Sequence, residues 1–242
     1  MKKSLLLLLL VPTLGSAQLK SLITKGKTKI TSVTSNTPKT IDISAGLKEA
    51  LKKGITEQVT KLTAIDGFYK NDAVKILMPE ELQMVDASLR KLGLSNLADD
   101  GIKALNRAAE DAVKEATPIF VNAITNMNIA DAKNILMGSE NSATTYLQGS
   151  TSKDLYAKFS PVVQESIGKV GADVIWASII KKYNTIPFIS KVNPDITDYV
   201  TNKAMDGVFK MIAVEEKNIR TNLKSRTSSL LKQVFALQDK KK

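Results

Sequence analysis

The sequence of 242 residues contains no histidine and no cysteine. The lack of histidine excludes Ser-His-Asp and Cys-His catalytic groups, histidine-based zinc sites and imidazole acid–base catalysis. The lack of cysteine excludes disulfides, thiolate nucleophiles and iron–sulfur clusters. Phosphate-binding and nucleophile-elbow motifs are also absent from the sequence. An enzyme would have to use carboxylates, Lys, Tyr, Ser or Thr, so we predict a non-enzymatic protein with no catalytic residues, no cofactor and no metal.

Long apolar runs are scarce, and the clearest one lies at the start of the chain. Two lysines precede an apolar run from Leu5 to Val11, and the small residues Gly15 and Ala17 follow. This order is typical of a secretory signal peptide cleaved after Ala17. A transmembrane helix would need about 20 apolar residues. We therefore expect residues 1–17 to be a signal peptide and the mature protein to be periplasmic or secreted.

Acidic residues are missing from residues 18–41, which are rich in Lys, Thr and Ser. Such a composition predicts a disordered basic arm, and residues 239–242 form a basic tail. The formal net charge is +11. This charge favours an anionic partner such as a lipid or a membrane surface, although it is also consistent with solubility alone. Nucleic acid is not expected, because few aromatic residues accompany the lysines.

Residues 42–238 show helical spacing of apolar residues over most of their length. The pattern predicts one all-α, bundle-like domain of about seven to nine helices. Within it, Pro118 is expected to bend one long helix, and Pro161 to interrupt another. Gly93 is expected to stop an earlier helix, and Asn128 to cap a short one that Gly138 ends. The expected helices in the second half of the domain span about Asn96–Met127, Asn128–Gly138, Lys153–Tyr183, Ile196–Thr221 and Ser225–Leu237.

Two adjacent carboxylates stand out in the helix that begins near Ile196. On a helical wheel, Glu215 and Glu216 fall inside an apolar arc about 120° wide. An unpaired buried carboxylate costs several kcal/mol, so each must reach solvent, find a partner or stay protonated. Arg220 lies four residues after Glu216, in the favourable order for a helical ion pair. A structural polar network is the preferred interpretation, ahead of a functional carboxylate pair or a simple exposed edge.

A second group of polar residues completes this candidate network. Asn106, Arg107 and Glu110 lie along or beside the apolar stripe of a central helix. In a two-layer bundle, Arg107 would be solvated and would pair with Glu110 and Asp111. In a larger domain that covers the helix on both sides, Arg107 could instead meet one of the two glutamates.

One stretch combines methionines with clustered hydroxyl groups and is a candidate ligand pocket. Methionine lines adaptable cavities as well as cores. Three consecutive hydroxyl side chains could orient a polar headgroup, although they could equally cap and dock a helix. The candidate pocket residues are Met127, Met137, Thr144, Thr145 and Tyr146.

Several spaced motifs resemble, in order, those of an exported bacterial family catalogued as domain of unknown function 4197. They are GLKEALKKG, LNRAAEDA, AITNMNIADAKNIL, ATTYL, YVTNKAMDGVF and EEKNIR. The resemblance spans roughly residues 43–235 and implies an all-helical envelope or secreted protein. It implies no established activity, so no catalytic residue can be transferred from it.

The sequence thus favours an exported, non-enzymatic helical protein that binds an amphipathic or anionic envelope component, either a lipid in a cavity or a membrane surface. The alternative is a protein-interaction or scaffolding module of the cell envelope. A carboxylate-based enzyme that uses Glu215 or Glu216 with Tyr146 or a lysine is the third hypothesis.

Overall fold

The computed structural model describes residues 42–185, 187–188, 191, 193 and 195–239. The predicted signal peptide, the basic arm and the last three lysines lie outside these residues. Within the described part of the chain the structure contains helices and no β-strand, which confirms the predicted all-α class. None of the helices there is both long enough and apolar enough to cross a membrane.

The described residues form nine α-helices and two short 3₁₀ turns. The first turn, Glu80–Leu82, leads into the second helix, and the second, Leu223–Ser225, follows the eighth. In chain order the helices are α1 (Ile43–Thr63), α2 (Gln83–Lys91), α3 (Ser95–Val113), α4 (Ala116–Asn126), α5 (Ile129–Met137), α6 (Ser142–Gly168), α7 (Ala172–Tyr183), α8 (Ile196–Thr221) and α9 (Ser229–Asp239).

Helices α3, α6 and α8 pack against one another at the centre of the fold. Helix α1 lies against α8 and also contacts α3, α4, α5 and α9, while α2 packs on α3, and α7 on α6 and α8. Both α3 and α8 are therefore covered on more than one side. This explains why polar residues near their apolar stripes become buried.

Local signals place several helix ends where the sequence predicts them. Asn128 caps α5 by accepting a hydrogen bond from the Asp131 amide. Gly93, with φ of 78°, ends α2, and the amide of the next residue donates to the Leu89 carbonyl. Helix caps of this kind form between residues that are close in sequence. The sequence alone is therefore enough to predict them.

The two predicted proline breaks are wrong. The bend between α3 and α4 falls at residues 114–115, and Pro118 lies in the first turn of α4, where its missing amide hydrogen costs no helical bond. Helix α6 begins at Ser142, eleven residues before the expected start, and runs through Pro161 without interruption. Pro161 is exposed, so the carbonyl that loses its partner can bind water.

The buried residues of α6 explain why its start was missed. Apart from Thr144, they recur every fourth position, at 143, 147, 151, 155, 159, 163 and 167. Four residues turn a helix by about 400°, so each buried residue is rotated by about 40° from the one before. The buried stripe winds around the helix and never presents one fixed apolar face. In its first part, however, the buried residues are Ala143, Thr144, Leu147 and Thr151, of which only Leu147 is large and apolar, so the sequence there resembles a polar loop.

Candidate functional site

Glu216 caps helix α6 from a distance of more than 70 residues in sequence. The local N-cap residue of α6, Asn141, makes no capping bond with its side chain. Glu216 instead accepts hydrogen bonds from the amides of Ala143 (2.9 Å) and Thr144 (2.8 Å), and from the Thr144 hydroxyl (2.8 Å). Its carboxylate thus satisfies donors in the first turn of α6, where the helix dipole also favours a negative charge.

Arg220 completes this junction on its other side. Its Nε and Nη2 donate to Glu216 Oε1 at 3.0 and 2.8 Å. Its Nη1 donates to the Leu136 carbonyl, and Nη2 to the Ile135 carbonyl, at 3.0 and 2.8 Å. These carbonyls lie at the end of α5, where a positive charge is favoured. The ion pair therefore sits between the end of α5 and the start of α6 and matches the dipole of each helix.

Arg226 extends the same cluster and was not singled out in the sequence. It is almost fully buried and donates to the carbonyls of Ile219 and Arg220 at the end of α8. It also forms a two-pronged ion pair with Asp239. The ring of Phe235 lies 5.9 Å from the Arg220 guanidinium and 5.4 Å from that of Arg226. Arg226 and Asp239 meet only because α9 folds back, so no short-range pattern in the sequence predicts this ion pair.

Glu215 accepts fewer hydrogen bonds than its neighbour Glu216. It is half-buried and accepts one hydrogen bond, from Gln58 Nε2 at 3.1 Å. The Oε1 atom of Gln58 is buried without a partner among the described residues. Both glutamates border a crevice between α1, α8 and α9 whose volume is about 30 Å³. This space is large enough for an ordered water molecule, which needs about 10–15 Å³.

Glu110 and Arg107 hold the loop that follows α1. Glu110 is 3% exposed and accepts hydrogen bonds from the amides of Phe68 (3.0 Å) and Tyr69 (3.4 Å). Arg107 bridges the carboxylates of Glu110 and Asp66. Asp66 has a positive φ of 68°, so this bridge fixes a backbone conformation that few residues adopt.

Lys70 adds a second positive charge beside Asp66. Its Nζ lies 2.8 Å from the Asp66 carboxylate. The hydrogen bond from Lys70, together with the charges of Lys70 and Arg107, lowers the pKa of Asp66 against the opposing effect of burial. The same pairing raises the pKa of Lys70. Asp66 is therefore held in its ionised form at the turn.

Asn106 fastens the next part of the same loop. Its Oδ1 accepts from the Ile76 amide at 2.8 Å, and its Nδ2 donates to the Ile76 carbonyl at 2.7 Å. The side-chain amide also donates to the carbonyl of Ile102 in its own helix. Asn106 is fully buried and thus pairs with a peptide group as a neighbouring strand would. The motif residues of α3 therefore act together on residues 66–76.

The six predicted network residues fall into two separate clusters. Arg107 pairs with Glu110 and Asp66. The expectation that it could meet Glu215 or Glu216 is therefore wrong, and so is its expected pairing with Asp111. Arg107 is nevertheless partly shielded, because the loop after α1 folds over it. Asp66 is 41 residues away from Arg107 in sequence, and spacing gave no sign of it.

The candidate ligand-pocket residues have divergent surroundings. Met127 is buried, and Met137 is half-buried against the core. The Thr144 hydroxyl donates to Glu216, whereas the Thr145 hydroxyl donates to the carbonyl of Asn141. Tyr146 is half-buried, and burial followed by the charge of Asp131 raises its pKa. The ligand role of these five residues stays a prediction.

Clustered metal ligands are also absent from this part of the chain: the described residues contain no group of three or more acidic side chains placed to hold an ion. Oxygen ligands for a hard cation would have to come from such groups, because the chain has no histidine or cysteine. The carboxylates of the two clusters bind amides and guanidinium groups instead.

Comparison with protein families gives one match. Residues 37–236 match the model of the family described as protein of unknown function (DUF4197). The chain belongs to this family. Searches of the curated proteins and of the solved structures found no match. The matched region of this DUF4197 protein includes both polar clusters except Asp239, and it includes the described helices except the last three residues of α9.

Proposed function

We propose that this DUF4197 protein is an exported, non-enzymatic protein that binds an anionic envelope surface through its basic ends. The observation that carries the proposal is the distribution of charge. Residues 42–239 contain 25 basic and 24 acidic side chains, whereas the ends of the expected mature chain, residues 18–41 and 240–242, contain 8 basic and no acidic ones. The helical domain is thus nearly neutral, and the excess positive charge lies in the terminal segments.

The use of the buried carboxylates supports a non-enzymatic role. Glu216 accepts five hydrogen bonds, from two backbone amides, one hydroxyl and two guanidinium nitrogens. A carboxylate with this many donors has few lone pairs left to take a proton from a substrate. Glu110 is engaged in a similar way by two amides and Arg107. These groups act on helix ends and on a loop, which is a structural use.

The small size of the crevice beside Glu216 favours a surface contact over a lipid enclosed at that place. Its volume of about 30 Å³ is far below the 300–1,000 Å³ typical of ligand pockets. Each lysine near an anionic membrane contributes about 1 kcal/mol, and the effect falls off within a Debye length. Five lysines in the arm are therefore enough for salt-sensitive binding.

Sedimentation with liposomes of zwitterionic and anionic lipid tests the proposal. In the mature chain, Gln would replace all five lysines of the arm: Lys20, Lys25, Lys27, Lys29 and Lys39. We expect the partition coefficient on anionic liposomes at low salt to fall at least about 100-fold.

A matched control replaces five exposed lysines of the helical domain with Gln, and a loss below about tenfold is expected. These residues are Lys91, Lys133, Lys153, Lys158 and Lys232. Both variants lose the same charge, so only the position of the lysines differs between them. Equal losses in the two variants, or a mature protein that ignores anionic liposomes at low salt, would reject the proposal.

A further inference from the structure

An acidic cleft lies at the opposite end of α8 from the Glu216 cluster. It runs between residues 78–83 and the first turns of α8, and Trp176 of α7 forms part of its wall. Its volume of about 530 Å³ is within the range of binding pockets for small ligands and peptide side chains. The lining residues that matter below are Glu80, Trp176, Asp198, Tyr199, Lys203 and Asp206.

Trp176 leaves a polar group without a partner at this cleft. The side chain is 2% exposed, and its Nε1–H donates to no acceptor among the described residues. A buried donor left unsatisfied destabilises the folded state, because it has lost its hydrogen bond with water. Tryptophan Nε1 is a donor only, so the group that would remove this cost is a hydrogen-bond acceptor such as a carbonyl oxygen. Trp176 also lines the cleft, so an acceptor on a ligand that enters there is the partner we expect for this group.

The carboxylates of the cleft divide into used and unused groups. Asp198 accepts from the Tyr156 hydroxyl and from the side-chain amides of Asn193 and Asn202. By contrast, Glu80 and Asp206 are exposed, and neither carboxylate has an ion-pair or hydrogen-bond partner within the described residues. Both line the same cleft, where their charges favour positively charged donors on a ligand.

The balance of charge agrees with a cationic ligand. Among the described lining residues, four carboxylates, from Glu80, Asp195, Asp198 and Asp206, stand against one ammonium group, that of Lys203. The Lys203 ammonium lies over the ring of Tyr199, 5.8 Å from its centroid. The cleft is thus negative although the whole chain is strongly positive. An anionic lipid or polymer would be repelled here.

We propose that this cleft binds a basic, extended peptide segment of a protein partner. Lysine or arginine side chains of the peptide would meet Glu80 and Asp206, and a backbone carbonyl would accept from Trp176. A metal ion or a simple amine would neutralise the carboxylates but would offer the indole no acceptor. A peptide supplies both kinds of group at short spacing, which is the reason for choosing it.

A neighbouring depression limits the length of the basic stretch. It shares Tyr199, Lys203 and Asp206 with the cleft but adds the ammonium groups of Lys75 and Lys210. Like charges there would oppose a peptide that stays basic along its whole length. The Tyr199 hydroxyl donates to the Leu77 carbonyl at 3.1 Å and so joins the two walls at the boundary. Two or three basic residues are therefore the expected recognition length.

This inference does not depend on the proposed membrane contact. The cleft belongs to the described helical domain, and its charge has the opposite sign to that of the terminal arm. The chain contains a single tryptophan, so its emission reports on the cleft itself. The probe is the synthetic peptide acetyl-Lys-Gly-Lys-Gly-Lys-amide, added to the mature protein at low salt.

We expect a saturable change in Trp176 emission with the basic peptide and none with the analogue in which Glu replaces each Lys. Asp206→Asn and Glu80→Gln should each weaken the apparent affinity about fivefold, because each removes one charge partner. Glu49→Gln, an exposed carboxylate on α1, removes the same charge far from the lining and should change the affinity less than twofold. Circular dichroism of each variant checks that the fold is retained.

Calorimetric titration with the same peptides gives a second readout that does not depend on fluorescence. The proposal is overturned if neither method detects saturable binding at millimolar peptide, or if the acidic analogue binds equally well. It is also overturned if Asp206→Asn and Glu49→Gln have equal effects. Equal affinity for 1,4-diaminobutane on a per-molecule basis would show that charge alone is recognised, and would refute the assignment to a peptide.

Discussion

The Glu216 junction leads to a quantitative prediction for the variant Glu216→Gln. The substitution preserves the size of the side chain but removes its negative charge and replaces one acceptor oxygen with an NH₂ donor. If the NH₂ group takes the place of Oε1, it faces the Ala143 amide and the Arg220 guanidinium; if it takes the place of Oε2, it faces the amide and hydroxyl of Thr144. Every orientation therefore sets donor against donor.

The expected cost follows from the burial of the partners. Arg220 is 3% exposed, and Glu216 is its only carboxylate partner among the described residues. Removing one member of a buried ion pair costs about 3–5 kcal/mol, because the other charge stays desolvated. The protein's total stability is expected to be about 5–15 kcal/mol. The loss would therefore be a large fraction of the stability of the fold.

Urea denaturation followed by circular dichroism measures this loss. We expect Glu216→Gln to lower the free energy of unfolding by about 3 kcal/mol or more. The matched control is Glu215→Gln, which lies next to it on α8 and loses a single hydrogen bond with Gln58. Its expected cost is about 1 kcal/mol or less.

A double-mutant cycle tests whether the cost comes from the ion pair. Adding Arg220→Met to Glu216→Gln removes the stranded charge, so the two costs should fall short of additivity by at least about 1 kcal/mol. The reasoning is refuted if Glu216→Gln costs less than about 1 kcal/mol, or if the two substitutions are simply additive. Either result would mean that solvent reaches the junction and replaces the missing bonds.

Three further predictions concern the loop after α1. Asn106→Ala leaves a buried peptide group of that loop without partners, so unfolding in urea should show a loss of about 2–4 kcal/mol; a loss under 1 kcal/mol would contradict the pairing. Gly207→Ala places a Cβ 2.6 Å from the Phe68 ring and should therefore lower the free energy of unfolding by about 1–3 kcal/mol. Thermal denaturation should show a lower Tm, and an unchanged Tm would be evidence against the close contact. Because Lys70 lowers the pKa of Asp66 in the folded state, Asp66 stabilises the fold above its unfolded pKa, and this contribution disappears as the pH falls through the lowered value. The Asp66→Asn variant should therefore be less stable than the parent protein at pH 7. Below the pKa of Asp66 in the folded state the two proteins should be equally stable, and a difference in stability that persists there would contradict the prediction.

Neighbours along the chain determined much of the local structure. The apolar spacing of α8 predicted its bounds of Ile196 and Thr221, and Asn128 and Gly93 marked helix ends correctly. The pairing of Glu216 with Arg220 also followed from sequence, because residues four apart on a helix are adjacent. Such features depend on backbone geometry within one element, so a linear pattern contains them.

Tertiary packing decided what these residues do. Glu216 meets two amides at the start of α6, and Arg220 meets two carbonyls at the end of α5, more than 70 residues away. The start of α6 itself was missed because its buried positions are mostly small or polar residues, Ala143, Thr144 and Thr151, which carry no apolar pattern and are buried only by helix packing. The sequence by itself determined which residues are polar within apolar surroundings and which share a helical face. Only the folded structure decided which helix ends, loop amides and clefts those faces meet, because contacts between elements depend on how the helices pack and not on spacing along the chain.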